Sequence, residues 1–224
     1  TYQRTDLLFK SFEQVYDDDR VEEIVIVDDA SDMEIFEQIR QRSFNLPKIK
    51  LHRNVQNRDC YENKYTALSF ASNDWCILLD SDNMIGKDYL DKIFEIENWE
   101  PDTVYAPVFA YPSFDYRSYS GMIISKQNVS KFINKPLFST ALNTANYFVY
   151  KINYLKVWSP DINPVTTDSI FMSLQFFKND MNIFFVPGLQ YFHRVHSGSH
   201  YQNNISKTPT GLLDKILKEI RELK

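Results

Sequence analysis

Residues 77–86 read "ILLDSDNMIG". An apolar run, Ile77-Leu78-Leu79, stops at two aspartates one residue apart. Side chains alternate along a strand, so a strand continued through Ser81 points Asp80 and Asp82 to the same side. Two adjacent carboxylates raise each other's pKa unless a cation lies between them. The stretch therefore predicts a strand end that holds something positive.

Three kinds of site end in such a pattern. An EF-hand loop needs glycine at its sixth position and a helix ahead of it. Here Gly86 is seventh, counted from Asp80, and a strand precedes. A phosphatase of the haloacid-dehalogenase type has D-x-D at the fold's first strand, usually with Thr or Val two residues on. Here Met84 takes that place and several elements come first. A hard divalent cation held by one or two carboxylates, with phosphate oxygens completing its shell, fits better. A simple turn through Asn83 and Gly86 is the bland alternative.

Outward from this stretch the chain alternates strand-like and helix-like segments. "EEIVIVDD", "KIKLHRN", "WCILLD" and "DTVYAPVFAY" read as strands. Residues 5–17, "SDMEIFEQIR", "YENKYTALSFA" and "KDYLDKIFEIE" read as helices. Leu8, Phe12 and Val15 share one helical face, and Ser31 and Glu34 have capping-box spacing. This order predicts an α/β fold with a mostly parallel sheet flanked by helices. After Pro112 the rhythm breaks. "YSGMIIS" and "NYFVYK" suggest edge strands, "NIFFVP" and "LQYFHRV" short strands, and "TTDSIFMSLQFFK" and "TGLLDKILKEIREL" helices. The reading is one domain, 1–224, with halves 1–112 and 113–224. The chain opens on a helix start, "TYQRTDLL", where a parallel sheet of this kind usually begins with a strand.

Composition excludes several classes. Hydrophobic residues are 43% and charged residues 25% of 224, ordinary for a soluble globular protein. Five glycines leave little material for a Gly-rich phosphate loop. A net charge of −5 without a basic tail argues against nucleic acid as a partner. The two cysteines, Cys60 and Cys76, form no CxxC pair. They suggest a reducing compartment, and with no apolar run of membrane-spanning length the expectation is cytoplasmic. Seventeen Phe and 14 Tyr suit a protein that handles sugars or nucleotides, though cores also use them.

"TYQRTDLLFKSFEQV", "EIVIVDDAS" and "NKYTALSFASNDWCILLDSDN", in that order, resemble the N-terminal half of the GT-A glycosyltransferases of the family-2 type. Gln3 stands where that family usually has Asn, and the processive Q-x-x-R-W signature is absent. The resemblance implies an inverting, metal-dependent transferase. It would move a sugar from a nucleoside diphosphate, with UDP the expected nucleotide, to a hydroxyl of a glycan or other acceptor. Tyr2, Arg4, Asp28, Asp29, Lys64, Asp80 and Ser81 would bind the nucleotide-sugar, with Asp29 accepting the N3–H of uracil. Asp82, helped by Asp80, would hold Mn²⁺ or Mg²⁺. His196, in a segment similar to the family's C-terminal "RxHxGS", would reach the metal. Asp168, opening a helix in the second half, would be the general base, although a helix-start aspartate also suits the macrodipole. Asn143, Thr144 and Asn146 are guesses for the acceptor sugar. Two alternatives stand beside this reading: the phosphatase above, and a transferase-like domain that binds without turnover.

Overall fold

The structure is a computed structural model that describes residues 1–144, 146–160, 164–194 and 205–223. The β-branched run after Glu23 forms β1 (Ile24–Asp28), which pairs in parallel with β2 (Ile49–Arg53). Ahead of them α1 (Asp6–Phe12) buries Leu8 and Phe12, and Val15 is buried just beyond its end. The crossover between the two strands is α2 (Met33–Ser43), and α3 (Asp59–Phe70) packs on β1.

A second sheet holds β3 (Trp75–Ile77), β4 (Thr103–Ala106), β7 (Ile123–Ile124), β8 (Phe148–Tyr150) and β9 (Asn182–Phe185). Their order is β3-β8-β4-β9-β7, with β4 and β9 parallel and the other pairs antiparallel. A third, small sheet sets β5 (Phe109–Tyr111) between β10 (Gln190–Phe192), parallel, and β6 (Phe114–Asp115), antiparallel. Around the sheets lie α4 (Lys87–Phe94), α5 (Phe138–Leu142), α6 (Lys151–Val157), α7 (Asp168–Lys178) and α8 (Leu212–Glu222).

Helix α7 is hydrophobic nearly all round, so it is buried: Ile170, Phe171, Met172, Leu174, Phe176 and Phe177 are in the core. Helix α8 has one apolar stripe, buries Ile216 and Ile220, and lies on α7. Much of the aromatic content is structural. Trp75 stacks on Phe148 at 5.1 Å, and Trp99 meets Phe148 edge-on at 4.7 Å. Among the described residues no helix is long and apolar enough to cross a membrane.

The α/β reading holds, with local corrections. Antiparallel ladders are more numerous than expected, because β8 returns between β3 and β4 rather than lying at an edge. The run 103–111 is two strands in two sheets, interrupted where Pro107 offers no N–H to a ladder. Ser31 does not cap α2. Its hydroxyl accepts the Gln3 N–H at 2.8 Å, so the capping-box spacing serves a long-range contact. Helices α5 and α6 have too few apolar repeats to stand out in the sequence.

Candidate active site

The carboxyl ends of β1 and β3 and the start of α7 open onto one cavity of about 1750 Å³. Tyr2, Asp29, Lys64, Asp80, Asp82 and Asp168 are among its lining residues.

At the end of β1 the two aspartates separate. Asp28 is fully buried and its carboxylate accepts the Ser31 N–H at 3.1 Å, with Arg53 at 3.7 Å. It braces the turn and stays outside the cavity lining, so a nucleotide contact from Asp28 finds no support in its position. Asp29 does line the cavity. One of its oxygens accepts from the Asn54 side chain at 2.7 Å and the Arg58 N–H at 2.9 Å. Burial holds its pKa above the ordinary value despite those two donors. Tyr2 is exposed at the rim.

At the end of β3 the strand stops at Ile77, and Asn83 N–H closes a turn on the Asp80 carbonyl at 2.9 Å. Strand alternation is lost there, so Asp80 and Asp82 meet different cations. Lys64 Nζ is 3.0 Å from Asp80 and 2.7 Å from Asp168. Arg4 is 2.7 Å from Asp82. The positive charge that the sequence called for is supplied here by the chain itself. Burial opposes the charge on Lys64, and Asp168 and Asp80 outweigh it, so its pKa stands well above the ordinary value. Lys64 thereby joins the second half of the chain to the D-x-D end: Asp168 is the first residue of α7, and its carboxylate accepts from Lys64 Nζ. Ser81 lines the cavity inside the turn.

Two braces of this turn escaped the sequence reading. Asn146, completely buried, accepts the Asp80 N–H at 2.9 Å through its side chain and the Tyr89 hydroxyl at 2.7 Å through its carbonyl. Arg194 donates to the carbonyls of Asp82 at 2.5 Å, Asn83 at 2.9 Å and Leu7 at 2.8 Å. The signal for Arg194 was present as the first residue of the "RxHxGS"-like segment, where the histidines drew the attention. His196 itself lies outside the described residues. Of the acceptor-sugar guesses, Asn143 and Thr144 line the cavity, where Thr144 bonds Tyr116 at 3.0 Å and the Asn143 side chain accepts the Ile170 N–H near the start of α7, and Asn146 braces the turn.

Asp80 and Asp82 are hard oxygen donors, both line the cavity, and both are partly exposed, which suits Mg²⁺ or Mn²⁺ once Arg4 turns aside. Among the described residues no three His, Cys, Asp or Glu side chains gather as a ready-made metal cluster.

The sequence profile described as "Glycosyl transferase family 2" matches residues 1–158, the stretch that carries Tyr2, Arg4, Asp29, Lys64, Asp80 and Asp82. The chain belongs to this family. This glycosyltransferase is also similar in fold to solved structures. One is the mannosyltransferase PcManGT from Pyrobaculum calidifontis in complex with GDP-Man and Mn²⁺. The identity is 15% and the TM-score 0.63, over all of this chain and 67% of that one. Another is S. aureus TarS 1-349 in complex with UDP-GlcNAc, with 15% identity, TM-score 0.62, and 95% and 67% coverage. Against the longer TarS structure, this glycosyltransferase spans 41% of the length. A third is GalNAc-T7 with UDP, GalNAc and Mn²⁺, with 13% identity, TM-score 0.56, and 77% and 38% coverage. No curated protein matches the sequence. The architecture is that of the GT-A glycosyltransferases, and membership of the family removes the phosphatase alternative.

Proposed function

We propose that this glycosyltransferase moves a sugar from a UDP-sugar to a hydroxyl of a glycan or similar acceptor, with inversion at the anomeric carbon. The observation that carries the reading is the chain of contacts Asp168–Lys64–Asp80 beside Arg4–Asp82, at the floor of the cavity that Asp29 borders. Residues 1–112 form the donor side and 113–224 the acceptor side of one unit.

Asp29 has one carboxylate oxygen engaged by Asn54 and Arg58, and the carboxylate accepts the N3–H of uracil. Tyr2 covers the base from the rim. Asp82 and Asp80 would hold Mn²⁺ or Mg²⁺, which when bound would supply positive charge to the diphosphate leaving group. Arg4 and Lys64 are the cations at hand for the phosphate oxygens, a preorganised stabilisation where negative charge develops. Asp168 takes the proton of the acceptor hydroxyl, and the Lys64 ammonium, 2.7 Å away, holds that carboxylate in place. A lone carboxylate acting on the acceptor, with the diphosphate held on the other side, leads to attack opposite the leaving group. The Mn²⁺ bound in the PcManGT and GalNAc-T7 complexes, and the UDP or UDP-sugar bound in those of GalNAc-T7 and TarS, support this choice of metal and nucleotide.

The test is incubation with a panel of UDP- and GDP-sugars and Mn²⁺. Release of UDP with transfer to a hydroxyl acceptor, abolished by EDTA and by Asp82→Asn, is the expected result. Donor bound but left intact under all conditions returns the reading to a non-catalytic binder. Equal activity in EDTA removes the metal.

A further inference from the structure

The donor reading leaves one wall of the cavity unused. Besides the charged floor, the lining includes Phe114, Ser139, Thr140 and His193, all from the second half of the chain. Strand β6 pairs Phe114 with Ala110 and turns its ring to the opposite face from Asp115, which is exposed and held by Arg117. The Phe114 ring lies nearly parallel to that of buried Tyr116, 13° between planes and 6.4 Å between centroids, and His193 meets it edge-on at 5.3 Å. Held by these two neighbours, the ring stays half-buried at the cavity wall.

Helix α5 supplies hydroxyls to the same wall. Its Phe138, Ala141 and Leu142 are buried, so Ser139 and Thr140 turn to the other face, where both are half-buried and line the cavity. They stand in the first turn of α5, with no carbonyl of that helix behind them to bond. Among the described residues neither hydroxyl has a hydrogen-bond partner, whereas Thr144, one turn on, bonds back to the Thr140 carbonyl at 3.0 Å. The His193 Nδ1 is buried and likewise has no partner among the described residues. Buried polar atoms are ordinarily paired, so this wall holds polar groups that a ligand can complete.

The wall is tied to the chemistry at both ends. The Tyr116 hydroxyl and Thr144 bond at 3.0 Å, which joins the Phe114 side to the end of α5. The Asn143 side chain accepts the Ile170 N–H at 3.2 Å, two residues past Asp168, and Asn146 accepts the Asp80 N–H at 2.9 Å. Helix α5 and the residues after it thus reach both the start of α7 and the D-x-D turn. An aromatic plane beside neutral hydroxyls suits a pyranose, whose C–H face packs on a ring while its hydroxyls bond at the edge. Charge points the same way. Among the described lining residues of the second half the one Lys or Arg is Lys207, and it is exposed.

We propose that Phe114 is the platform on which the acceptor's terminal sugar ring stacks, with Ser139 and Thr140 bonding its hydroxyls, and that the acceptor ends in a neutral pyranose rather than a phosphate-bearing polyol or a peptide. The inference rests on the proposed function, because it fills the side of the cavity where Asp168 is assigned to the acceptor. A ring held by these three side chains is oriented before it meets the carboxylate, so the wall decides which hydroxyl is presented to Asp168. Phe114 selects the ring, and the two hydroxyls of α5 select its orientation.

The test is saturation-transfer NMR on the whole chain, with and without UDP. The probes are the methyl glycosides of glucose, galactose, mannose and N-acetylglucosamine, with glycerol 3-phosphate and a serine-containing peptide for the other two classes. The expected result is saturation of at least one neutral glycoside, strongest at the protons of one ring face. Phe114→Ala should weaken that binding roughly tenfold, Phe114→Trp should keep it, and Ser139→Ala with Thr140→Val should weaken it with the same ring face saturated. No saturation of any neutral glycoside, binding that Phe114→Ala leaves unchanged, or preference for glycerol 3-phosphate or the peptide overturns the proposal. If Phe114→Ala does not yield folded protein, Phe114→Leu, which keeps most of the volume without the flat face, gives the same reading. UDP affinity is titrated alongside and should be unchanged in every variant; UDP weakened together with the glycoside would make Phe114 a folding residue and also overturns the proposal. A parent protein that binds glycoside through Phe114 but no UDP-sugar sinks the donor reading and leaves the platform in place, and one that binds UDP-sugar but no glycoside does the reverse.

Discussion

Asp29 combines burial with an acceptor's task, and the two make opposite demands on its charge. The folded protein holds the Asp29 proton more tightly than the unfolded chain does, because burial raises the carboxyl's pKa above 3.8. Its contribution to stability is therefore full below that value and is lost as pH rises through the folded pKa. Asp29→Asn keeps an oxygen for Asn54 and Arg58 but has no charge to lose. We expect the variant to be at least as stable as the parent at neutral pH, with the difference shrinking toward pH 4, as read by urea unfolding across that range. The same variant should lose uracil selectivity, since an amide that turns its NH₂ toward the N3–H presents a donor to a donor. A hydrogen bond involving a charged group is worth about 1.5–3 kcal/mol, so UDP should weaken by roughly tenfold or more. Unchanged UDP affinity would move the base elsewhere. Asp168 is read by a different pair of measurements. Asp168→Asn keeps the shape and should lower transfer by roughly 10²–10⁴-fold, the usual share of a general base. Lys64 retains Asp80 in that variant, so donor affinity should change little. A loss of melting temperature with intact transfer would make Asp168 a structural partner of Lys64 and nothing more.

The turn from Asp80 to Asn83 is the element on which the proposed metal and diphosphate site depends, and it is held from outside. Arg194 grips three carbonyls, two of them in the turn and one at Leu7. A lysine at that position carries the charge but lacks the planar fork that spans several acceptors. Arg194→Lys should leave UDP binding without metal nearly unchanged and weaken the UDP–Mn²⁺ pair by roughly tenfold, by the same hydrogen-bond magnitude. Isothermal titration with and without Mn²⁺ separates these, and equal weakening in both would mean that the arginine acts on the base or on folding. This turn also marks where the sequence stops being legible. The strands β1, β2 and β3 and the aspartates at their ends are local patterns, visible in a window of ten residues. Asn146 bonds the Asp80 N–H across 66 positions and Arg194 reaches Asp82 across 112, and neither has any local pattern that announces the partner. Ser31 shows the reverse error. Its spacing to Glu34 satisfied a local rule, while its hydroxyl was taken by Gln3, 28 positions away. The split of 103–111 between two sheets was hidden for a related reason. Both strands are apolar; Pro107 marks the break, but only the tertiary path tells which sheet each strand joins.

Across the whole molecule the cleft floor is where distant parts of the chain settle their charges. Arg4 comes from the first residues, Lys64 from α3, Asp80 and Asp82 from the turn after β3, and Asp168 from α7. Among the described residues, Asp80 and Asp168 meet Lys64 there, and Asp82 meets Arg4. At rest this floor behaves as a loaded ion exchanger. In the proposed function, a dication arriving alone would have to displace Arg4 from Asp82. A nucleotide diphosphate arriving alone must compete with the carboxylates for Arg4 and Lys64. When both arrive, each takes the partner that the other releases, and the swap is balanced. Metal and nucleotide should accordingly load as a pair, with Mn²⁺ binding tightened by UDP by the same factor that UDP binding is tightened by Mn²⁺. Calorimetric titration in both orders measures the two factors. Independent binding would mean that the internal counter-ions are never exchanged. In that reading, discharge would run the same trade backwards: once the spent diphosphate and the dication had left, Arg4 and Lys64 would return to the carboxylates, and the protein would regenerate its own counter-ions.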